Sequence, residues 1–285
     1  MVIYGANAHH RGTELAEDAQ SFKLRHNTIP VSVNGATTLV FLSTKLGQFT
    51  YFSQQVGDPD WGGKNVLDFG GNIGNILRDP ASTIDQERYW CLDVVKDSVE
   101  QGELIFPRSH WIFYNRYCFF FNPYGVPNLP LPDIQQKFDY IVAYSVFSNT
   151  TPGDMLQLVK QLENLLAPNG TLAFSFIDPY YFSWPGEYEG NNFKYRVDLE
   201  IERGNVSAVD GQNIIRKATQ ADWFMLVNAN DLYLETEATR DYEPAQQKTC
   251  HVFQTEKYMK TLFPHASIQP PVNNEMQHCC IIRKS

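Results

Sequence analysis

The chain has 285 residues and a formal net charge of −9, and 43% of its residues are hydrophobic while 19% are charged. This apolar fraction supports a folded core and excludes disorder, which needs low hydrophobicity and high net charge. A net acidic chain has no general electrostatic attraction to nucleic acid or to anionic membranes, so we expect neither as a partner.

Neither a membrane segment nor a disulfide framework is expected. No stretch approaches the ~18 consecutive apolar residues of a membrane span, and residues 1–18 lack the basic and apolar regions of a secretory signal. The 5 cysteines are an odd number without a CxxC spacing, so we predict reduced thiols and no metal site. These features favour a cytoplasmic protein.

Residues 1–60 are predicted to form a helical cap. From Leu39 to Val56, apolar residues recur at steps of three and four, which is the period of an amphipathic helix. Glycines and a proline after Val56 end this segment. A shorter helix is predicted over 13–24.

From residue 61 to 178, short apolar strands alternate with helices. The predicted strands are 66–69, 89–93, 110–114, 138–143 and 171–177. Helices are predicted over 96–106 and from the Thr151 cap to about residue 166, with Pro152 in the first turn. Apolar strands flanked by helices indicate a parallel α/β sheet.

The alternation of predicted strands and helices stops after Asp178. Residues 179–254 are rich in aromatic residues and contain two strand-like stretches, 193–201 and 223–234. We predict a strand-rich insertion that covers one end of the sheet as a lid and contacts substrate. The α/β pattern resumes at 255–285, with Thr255 as a helix cap and two closing strands at 266–268 and 277–283.

A glycine-rich loop follows the first strand of the alternation. Its residues are Asp68, Gly70, Gly71, Asn72 and Gly74, placed where the strand is expected to turn into a helix. Glycines there permit positive φ and close approach of the backbone to a ligand, and a helix start offers free N–H groups. A plain tight turn explains a single glycine cluster equally well.

An acid ends the next predicted strand. Asp93 lies about 20 residues beyond the loop, a spacing at which a carboxylate can bind the ribose hydroxyls of a nucleoside cofactor. The alternative is an acid that the dipole of the following helix favours. In open α/β sheets ligands bind at the carboxyl ends of the strands, where Asp93 and the loop both lie.

The loop resembles the class I S-adenosylmethionine-dependent methyltransferase pattern, acid-x-Gly-x-Gly-x-Gly, with Asn72 in place of the middle glycine. Asparagine is the next most tolerant residue of left-handed geometry. The resemblance covers 64–178 and the C-terminal strands, and includes the leucine, proline and glycine turn at 165–170 and the helix entry at 251–258. It implies a Rossmann-like, seven-stranded, mostly parallel sheet with helices on both faces, built from 61–178 and 255–285.

The resemblance also implies a cofactor, S-adenosylmethionine, with S-adenosylhomocysteine as product. Asp68 and the loop 70–74 would hold its methionine part, Asp93 its ribose and Val94 its adenine. The family often has an acid after the third strand that holds the adenine amino group; here Asn115 or the nearby backbone would take that place.

The acceptor side is implied by strand ends further along the sheet. Tyr144 and Ser145 would line the sulfonium and the acceptor, although ordinary packing explains them as well. A general base is needed only if the acceptor carries a proton that it does not shed unaided. Asp178 and His251 are the candidates, with His278 a weaker one, and a structural role is the alternative for each.

The implied function is methyl transfer to an oxygen, nitrogen or carbon atom of a small-molecule acceptor in biosynthesis, with aromatic acceptors suited to the lid. One alternative is an NAD(P)-dependent oxidoreductase on a similar sheet, which Asn72 and the spacing from Asp68 disfavour. The other is a non-catalytic protein that keeps the methyltransferase fold for binding or dimerisation. The oligomeric state is not predicted.

Overall fold

The computed structural model describes residues 26–33, 36–43, 47–118, 121–180, 192–204, 206–218, 221–227, 231–234, 250–272 and 277–284. The helix predicted over 13–24 lies outside these residues. In the part of the chain that the structure describes, no helix is both long and apolar enough to cross a membrane.

The N-terminal segment contains a hairpin followed by a helix. Strands β1 (His26–Val33) and β2 (Ala36–Ser43) pair antiparallel, and helix α1 (Gln48–Val56) follows them. The prediction that a helix begins at Leu39 is therefore wrong, because that residue lies in β2 and the helix begins at Gln48.

The hairpin has a clear cause in the sequence. Both strands are rich in β-branched threonine, valine and isoleucine, which favour extended backbone. Asn34 and Gly35 separate them, and this dipeptide is the strongest short-range signal for a two-residue hairpin loop. These local preferences outweigh the helical spacing of the apolar residues between Leu39 and Leu46.

The predicted α/β alternation is confirmed after residue 65. Its elements in chain order are β3 (Val66–Phe69), β4 (Tyr89–Asp93), α2 (Lys96–Ile105), β5 (His110–Phe113), β6 (Phe138–Ala143), α3 (Pro152–Leu165) and β7 (Leu166–Phe176). The Thr151 hydroxyl caps α3 by accepting the N–H of Asp154 at 3.3 Å. This satisfies one of the N–H groups that every helix start leaves without an intrahelical partner.

Among the described residues, five further elements lie in the predicted insertion and three after it. They are α4 (Asn192–Glu202), α5 (Ala208–Ala218), β8 (Trp223–Val227), β9 (Asp231–Leu234), β10 (Cys250–Gln254), α6 (Glu256–Leu262), β11 (Ser267–Gln269) and β12 (His278–Arg283). Strand β8 pairs antiparallel with both β9 and β10. Thr255 caps α6 as predicted, with its hydroxyl accepting the N–H of Tyr258 at 3.1 Å.

The strand predicted over 193–201 is wrong, because this stretch lies in α4. Its apolar and polar residues alternate strictly, which is a strand pattern. In the helix, Val197 is buried and Ile201 packs against Gly211 of α5. An ion pair between Lys194 and Asp198, four residues apart at 2.6 Å, also suits the helix.

The central sheet has seven strands in the order β11, β12, β7, β6, β3, β4, β5. The pairs from β7 to β5 are parallel, and β12 runs antiparallel to both of its neighbours. Chain order reverses between β3 and β6, so loops at the carboxyl ends of these neighbouring strands border one crevice. Such a switch point is where α/β sheets bind ligands.

Apolar clusters cover both faces of the sheet, as predicted. On one face α3 packs Met155, Leu158 and Leu162 against the strands. On the other face α1 contributes Phe49 and Phe52. A third cluster lies within the insertion and contains Ile177, Val197, Val206, Ile214, Ala218, Phe224 and Phe253.

Candidate functional site

The glycine loop leaves β3 through three residues with left-handed backbone. Gly70, Asn72 and Gly74 have φ angles of 76°, 55° and 81°. Residues 70–81 form turns and no helix, so the helix predicted to follow the loop is absent. Left-handed residues interrupt a right-handed helix, and Pro80 follows within two turns.

The loop lies directly on the ends of the strands. A Cβ atom on Gly71 would stand 2.5 Å from the Asp68 carboxyl group and 2.9 Å from the Cys91 sulfur. A Cβ on Gly70 would overlap the side chain of Val146, just after β6. Only glycine permits this approach, which brings the loop against both β4 and the turn after β6.

Asp93 ties the loop to the end of β4. Its Oδ2 atom accepts the backbone N–H of Asn72 at 2.8 Å, and its Oδ1 atom accepts the N–H of Val95 at 2.8 Å. The backbone of Val94 contributes a further hydrogen bond to this carboxylate, and the remaining lone-pair capacity can accept a ligand donor. Asn72 thus takes part in the loop through its backbone and its left-handed φ angle.

Asp68 lies beneath the loop and is 2% exposed. Its Oδ2 atom accepts the Tyr89 hydroxyl at 2.8 Å. Burial raises the pKa of Asp68 to about 7; the hydrogen bond from Tyr89 opposes this rise and the charge of Asp93 adds to it. Burial also raises the pKa of Asp93, while its bonds from backbone N–H groups lower it.

This geometry fits a nucleoside cofactor of the predicted kind. Asp93 is held by backbone donors and keeps acceptor capacity for the hydroxyls of a ribose. Beside it, the glycine backbone offers a surface without side chains above the buried Asp68 carboxyl group. Val94 directly follows Asp93, is half-buried and packs against the apolar cluster on the α3 face.

Asn115 is exposed two residues after β5. Its side-chain oxygen accepts the Asn122 amide at 3.1 Å, and its backbone carbonyl accepts the N–H of Val126 at 2.8 Å. These bonds fold the segment after β5 back on itself. Asn115 therefore stabilises this turn, and its predicted contact with adenine stays a prediction.

Tyr144 and Ser145 point to different parts of the molecule. The Tyr144 ring packs edge-on against Tyr51 and Phe52 of α1, with ring centroids 5.3 and 6.1 Å apart. Ser145 has a left-handed φ of 58° and a backbone N–H that donates to the Ser175 hydroxyl at 2.7 Å. Ser145 stands next to Val146, the residue that limits Gly70, so it belongs to the rim of the loop.

Ser175 and Gln277 were not predicted as site residues. The Ser175 hydroxyl is fully buried and donates to the Gln277 side-chain oxygen at 2.6 Å, while the Gln277 carbonyl accepts the Tyr51 hydroxyl at 3.2 Å. This chain of bonds joins α1, the start of β12 and the turn at Ser145. A single serine among the apolar residues of β7 was the sequence feature that could have indicated this buried hydrogen bond.

The three candidate bases have different surroundings. Both oxygens of Asp178 accept backbone N–H groups, from Tyr180 and from Glu256 at the start of α6, each at 2.7 Å. His278 is buried, its ring lies 5.3 Å from that of Phe176, and burial lowers its pKa. His251 lies in β10 opposite Leu226, and its side chain is outside what the structure describes.

No group of three histidine, cysteine, aspartate or glutamate side chains that could hold a metal ion occurs among the described residues. Cys91, Cys279 and Cys280 are buried free thiols. Burial raises the pKa of each of them, so they are packed as protonated, unreactive groups.

A sequence model of the family described as "Methyltransferase domain" matches residues 67–172. The matched range runs from β3 into β7 and contains the glycine loop, Asp93 and the turn at Ser145. The match confirms the predicted resemblance to the methyltransferases. No curated protein sequence matches the chain.

Three solved structures show similar folds. A S-adenosylmethionine-dependent methyltransferase from Clostridium acetobutylicum ATCC 824 is 12% identical, with 85% of this chain and 91% of that chain covered and a TM-score of 0.45. Magnesium protoporphyrin IX methyltransferase from Synechocystis PCC 6803, with bound SAH, is 10% identical, with 83% and 80% covered and a TM-score of 0.43. The glycopeptide N-methyltransferase MtfA, complexed with S-adenosylmethionine, is 7% identical, with 84% and 94% covered and a TM-score of 0.48. At these identities and scores the similarity carries no information about this chain's acceptor.

Proposed function

We propose that the chain transfers a methyl group from S-adenosylmethionine to a small-molecule acceptor, since a model of the methyltransferase domain family matches residues 67–172. The observation that carries this proposal is the geometry of Asp93. Its carboxylate is held by backbone N–H groups, among them those of Asn72 and Val95, and keeps acceptor capacity inside the range that the family model matches.

The residues of the loop would bind and orient the cofactor. When bound, S-adenosylmethionine supplies a methyl group already activated on a sulfonium. Asp93 would accept the ribose hydroxyls, Val94 would pack against adenine and Asp68 would face the methionine part. Transfer then depends mainly on alignment and on exclusion of water, since these account for most of the acceleration of such a reaction.

The acceptor would approach from the side of Ser145 and the insertion. The net charge of −9 favours a small molecule over a nucleic acid as the acceptor. The methylated position is an oxygen, nitrogen or carbon atom of that molecule. Of the insertion's aromatic residues, Trp223 and Phe224 are buried in its own core, whereas Tyr180 is 44% exposed. The insertion thus has a core of its own, and the exposed part of the Tyr180 ring suits an aromatic acceptor.

Asp178 and His251 stay the candidates for a general base. Asp178 uses both of its oxygens to hold the backbone of Tyr180 and Glu256, so it serves to join the insertion to α6. A base is required only for acceptors that keep their proton at neutral pH.

Calorimetric titration of the whole chain with S-adenosylmethionine, S-adenosylhomocysteine, NAD and NADP tests the proposal. We expect micromolar binding of the first two and none of the nicotinamide cofactors. Binding of NAD or NADP alone would indicate the oxidoreductase alternative. Absence of binding to all four would indicate a protein that keeps the fold without the cofactor.

A further inference from the structure

One buried arginine lies beside the candidate site and joins two separate segments of the chain. Arg116 follows β5 by three residues and is 3% exposed. Its guanidinium donates to the Leu129 carbonyl at 2.7 Å, to the Asp154 carboxylate at 2.6 Å and to the Gln157 side-chain oxygen at 2.7 Å. A buried charge without partners is costly, so these three acceptors hold the side chain in one position.

The first of the two segments begins beside Asp93. The N–H of Tyr114, directly after β5, donates to the Asp93 carbonyl at 2.8 Å. The buried Tyr114 ring lies 6.3 Å from the Phe69 ring at the end of β3, measured between centroids, and its hydroxyl donates to the Leu129 carbonyl. The Arg116 guanidinium and the Tyr114 hydroxyl therefore share one acceptor, and this segment is held against the carboxyl ends of β3 and β4.

The second segment is the start of α3. Asp154 lies in its first turn, and the carboxylate oxygen that Arg116 does not contact accepts the hydroxyl of the Thr151 cap at 3.0 Å. The turn between β6 and α3 also approaches the first segment, with the Cys118 sulfur 4.0 Å from the Asn149 carbonyl oxygen. The two segments thus meet at the edge of the sheet that contains the glycine loop.

We propose that Arg116 is a positioning residue for the adenine end of the cofactor, because it fixes the spacing between the segment after β5 and the start of α3. The inference rests on the proposed function, in which adenine packs against Val94 and reaches the surroundings of Asn115. A guanidinium presents its donors in a rigid planar fork, so three acceptors held by one fork keep fixed relative positions. A displacement of about 1 Å in either segment is enough to lose a hydrogen bond to the base, since such bonds need distances of about 2.7–3.2 Å.

R116K keeps the charge and removes the fork, since an ammonium is a point charge on a flexible stem. We would titrate the whole chain calorimetrically with S-adenosylhomocysteine and with S-inosylhomocysteine, in which a carbonyl oxygen replaces the amino group of adenine. We expect the wild type to bind the adenine compound at least about tenfold more tightly, because a site that holds the amino group leaves a polar group unpaired when that group is missing.

The preference between the two ligands separates positioning from a structural role. In R116K we expect the preference to fall to within about twofold, through weaker binding of S-adenosylhomocysteine. Thermal unfolding in parallel shows whether the variant is folded at the temperature of the titration. A purely structural role of Arg116 predicts an unchanged preference, because a loss of folded protein lowers the binding of both ligands equally.

Q157A tests the same arrangement without changing a charge. Gln157 is exposed on α3 and alanine is the best helix former, so we expect this variant to fold as well as the wild type. It removes one of the three acceptors of the guanidinium. We expect the preference to fall about threefold, and the effects of R116K and Q157A to be less than additive in the double variant. Q157A alone decides the inference if R116K does not fold.

R108K is the matched control. Arg108 forms an exposed ion pair with Glu87 at 3.0 Å, and it lies before the start of β5, at the other end of that strand. We expect R108K to keep the affinity and the preference of the wild type. An unchanged preference in R116K and Q157A, or a wild type that binds both ligands equally, would overturn the inference and leave the proposed function intact. Absence of binding of S-adenosylhomocysteine and S-adenosylmethionine to the wild type would overturn both.

Discussion

Asp93 holds the glycine loop in place and is also the residue that we propose binds the ribose of the cofactor. Its carboxylate closes the loop through the N–H groups of Asn72 and Val95 and still has lone pairs for a ligand. Asp68 beneath it has one hydroxyl donor and no room for another group at Gly71. The two acids thus differ in what their neighbours permit, although both lie near the carboxyl ends of neighbouring strands of the sheet.

The first prediction concerns Asp93. D93A removes the acceptor of the ribose hydroxyls and the bond that holds Asn72, so we expect S-adenosylmethionine binding to weaken by about 1.5–3 kcal/mol, which is at least tenfold. Calorimetric titration of wild type and D93A with S-adenosylmethionine measures this loss of affinity. The control is D133A, since Asp133 is an exposed acid in the segment before β6. An affinity within about twofold of the wild type would show that Asp93 does not bind the cofactor.

The second prediction concerns the stability of the free protein. The pKa of Asp68 rises from the ordinary 3.8 to about 7 on folding, so the folded protein keeps a proton that the unfolded chain has lost between these values. The contribution of this proton to stability is complete below 3.8 and is lost as pH rises through about 7. The D68N side chain does not ionise, so D68N is spared this loss of stability.

Urea unfolding of both proteins at several pH values checks this second prediction. We expect the free energy of unfolding of D68N to exceed that of the wild type by a margin that grows between about pH 4 and about pH 7 and is constant above. A margin that does not change with pH would show that Asp68 is ionised throughout in the folded protein.

At the scale of elements, substitutions at two glycines are expected to change the stability of the protein in opposite directions. G71A forces a Cβ to within 2.5 Å of the Asp68 carboxyl group, so we expect a loss of stability of about 1–3 kcal/mol as the loop shifts. A Cβ atom added to Gly153, in the first turn of α3, would have no heavy atom within 4 Å. G153A is expected to stabilise the protein, by up to about 1 kcal/mol. Thermal unfolding of both variants measures the difference, and equal effects would contradict it.

Elements with a strong local signal were predictable from the sequence. Thr151, Pro152 and Asp154 fixed the start of α3, and the apolar runs identified the five parallel strands. The errors arose where two signals disagreed. Alternation indicated a strand at 193–201, but packing of Val197 against α5 requires a helix there. The spacing after Leu39 indicated a helix, but β1 and β2 pair as a hairpin, which the Asn34-Gly35 dipeptide between them in the sequence favours.

The candidate site was predictable in its backbone and less so in its side chains. The glycines and Asp93 follow from a motif in the sequence. The Ser175 to Gln277 bond joins residues 102 positions apart, and no local pattern reports a contact at that separation. The same holds for Asp178, whose role depends on α6 lying beside the end of β7.

At the scale of the whole molecule, the insertion has its own core. Phe224 is fully buried and stacks on Phe253 with ring centroids 5.1 Å apart, within a cluster separate from those on the sheet faces. F224A leaves a cavity, and we expect it to lower the free energy of unfolding by about 3–5 kcal/mol. We expect this cost to fall on the insertion alone.

Hydrogen exchange measures where the cost of F224A falls. Amides of α4, α5 and β8 should lose protection, whereas those of β3, β4 and β6 should keep it, and S-adenosylmethionine binding should not change. F174A, in the cluster on the α3 face of the sheet, is the comparison and should lower protection throughout. A uniform loss of protection in F224A would show that the insertion and the sheet unfold together.

The insertion leaves and rejoins the sheet at one place. Phe253 forms a parallel bridge with Ile177, and the N–H of Gln254 donates to the Ile177 carbonyl at 3.0 Å. Two ends this close can be joined by a very short linker without disturbing the strands, the condition under which one chain accepts another as a graft. We therefore expect that the stretch between Asp178 and Gln254 can be exchanged for another segment without loss of the sheet, and, on the proposed function, that the exchange changes the acceptor and leaves the donor site as it is.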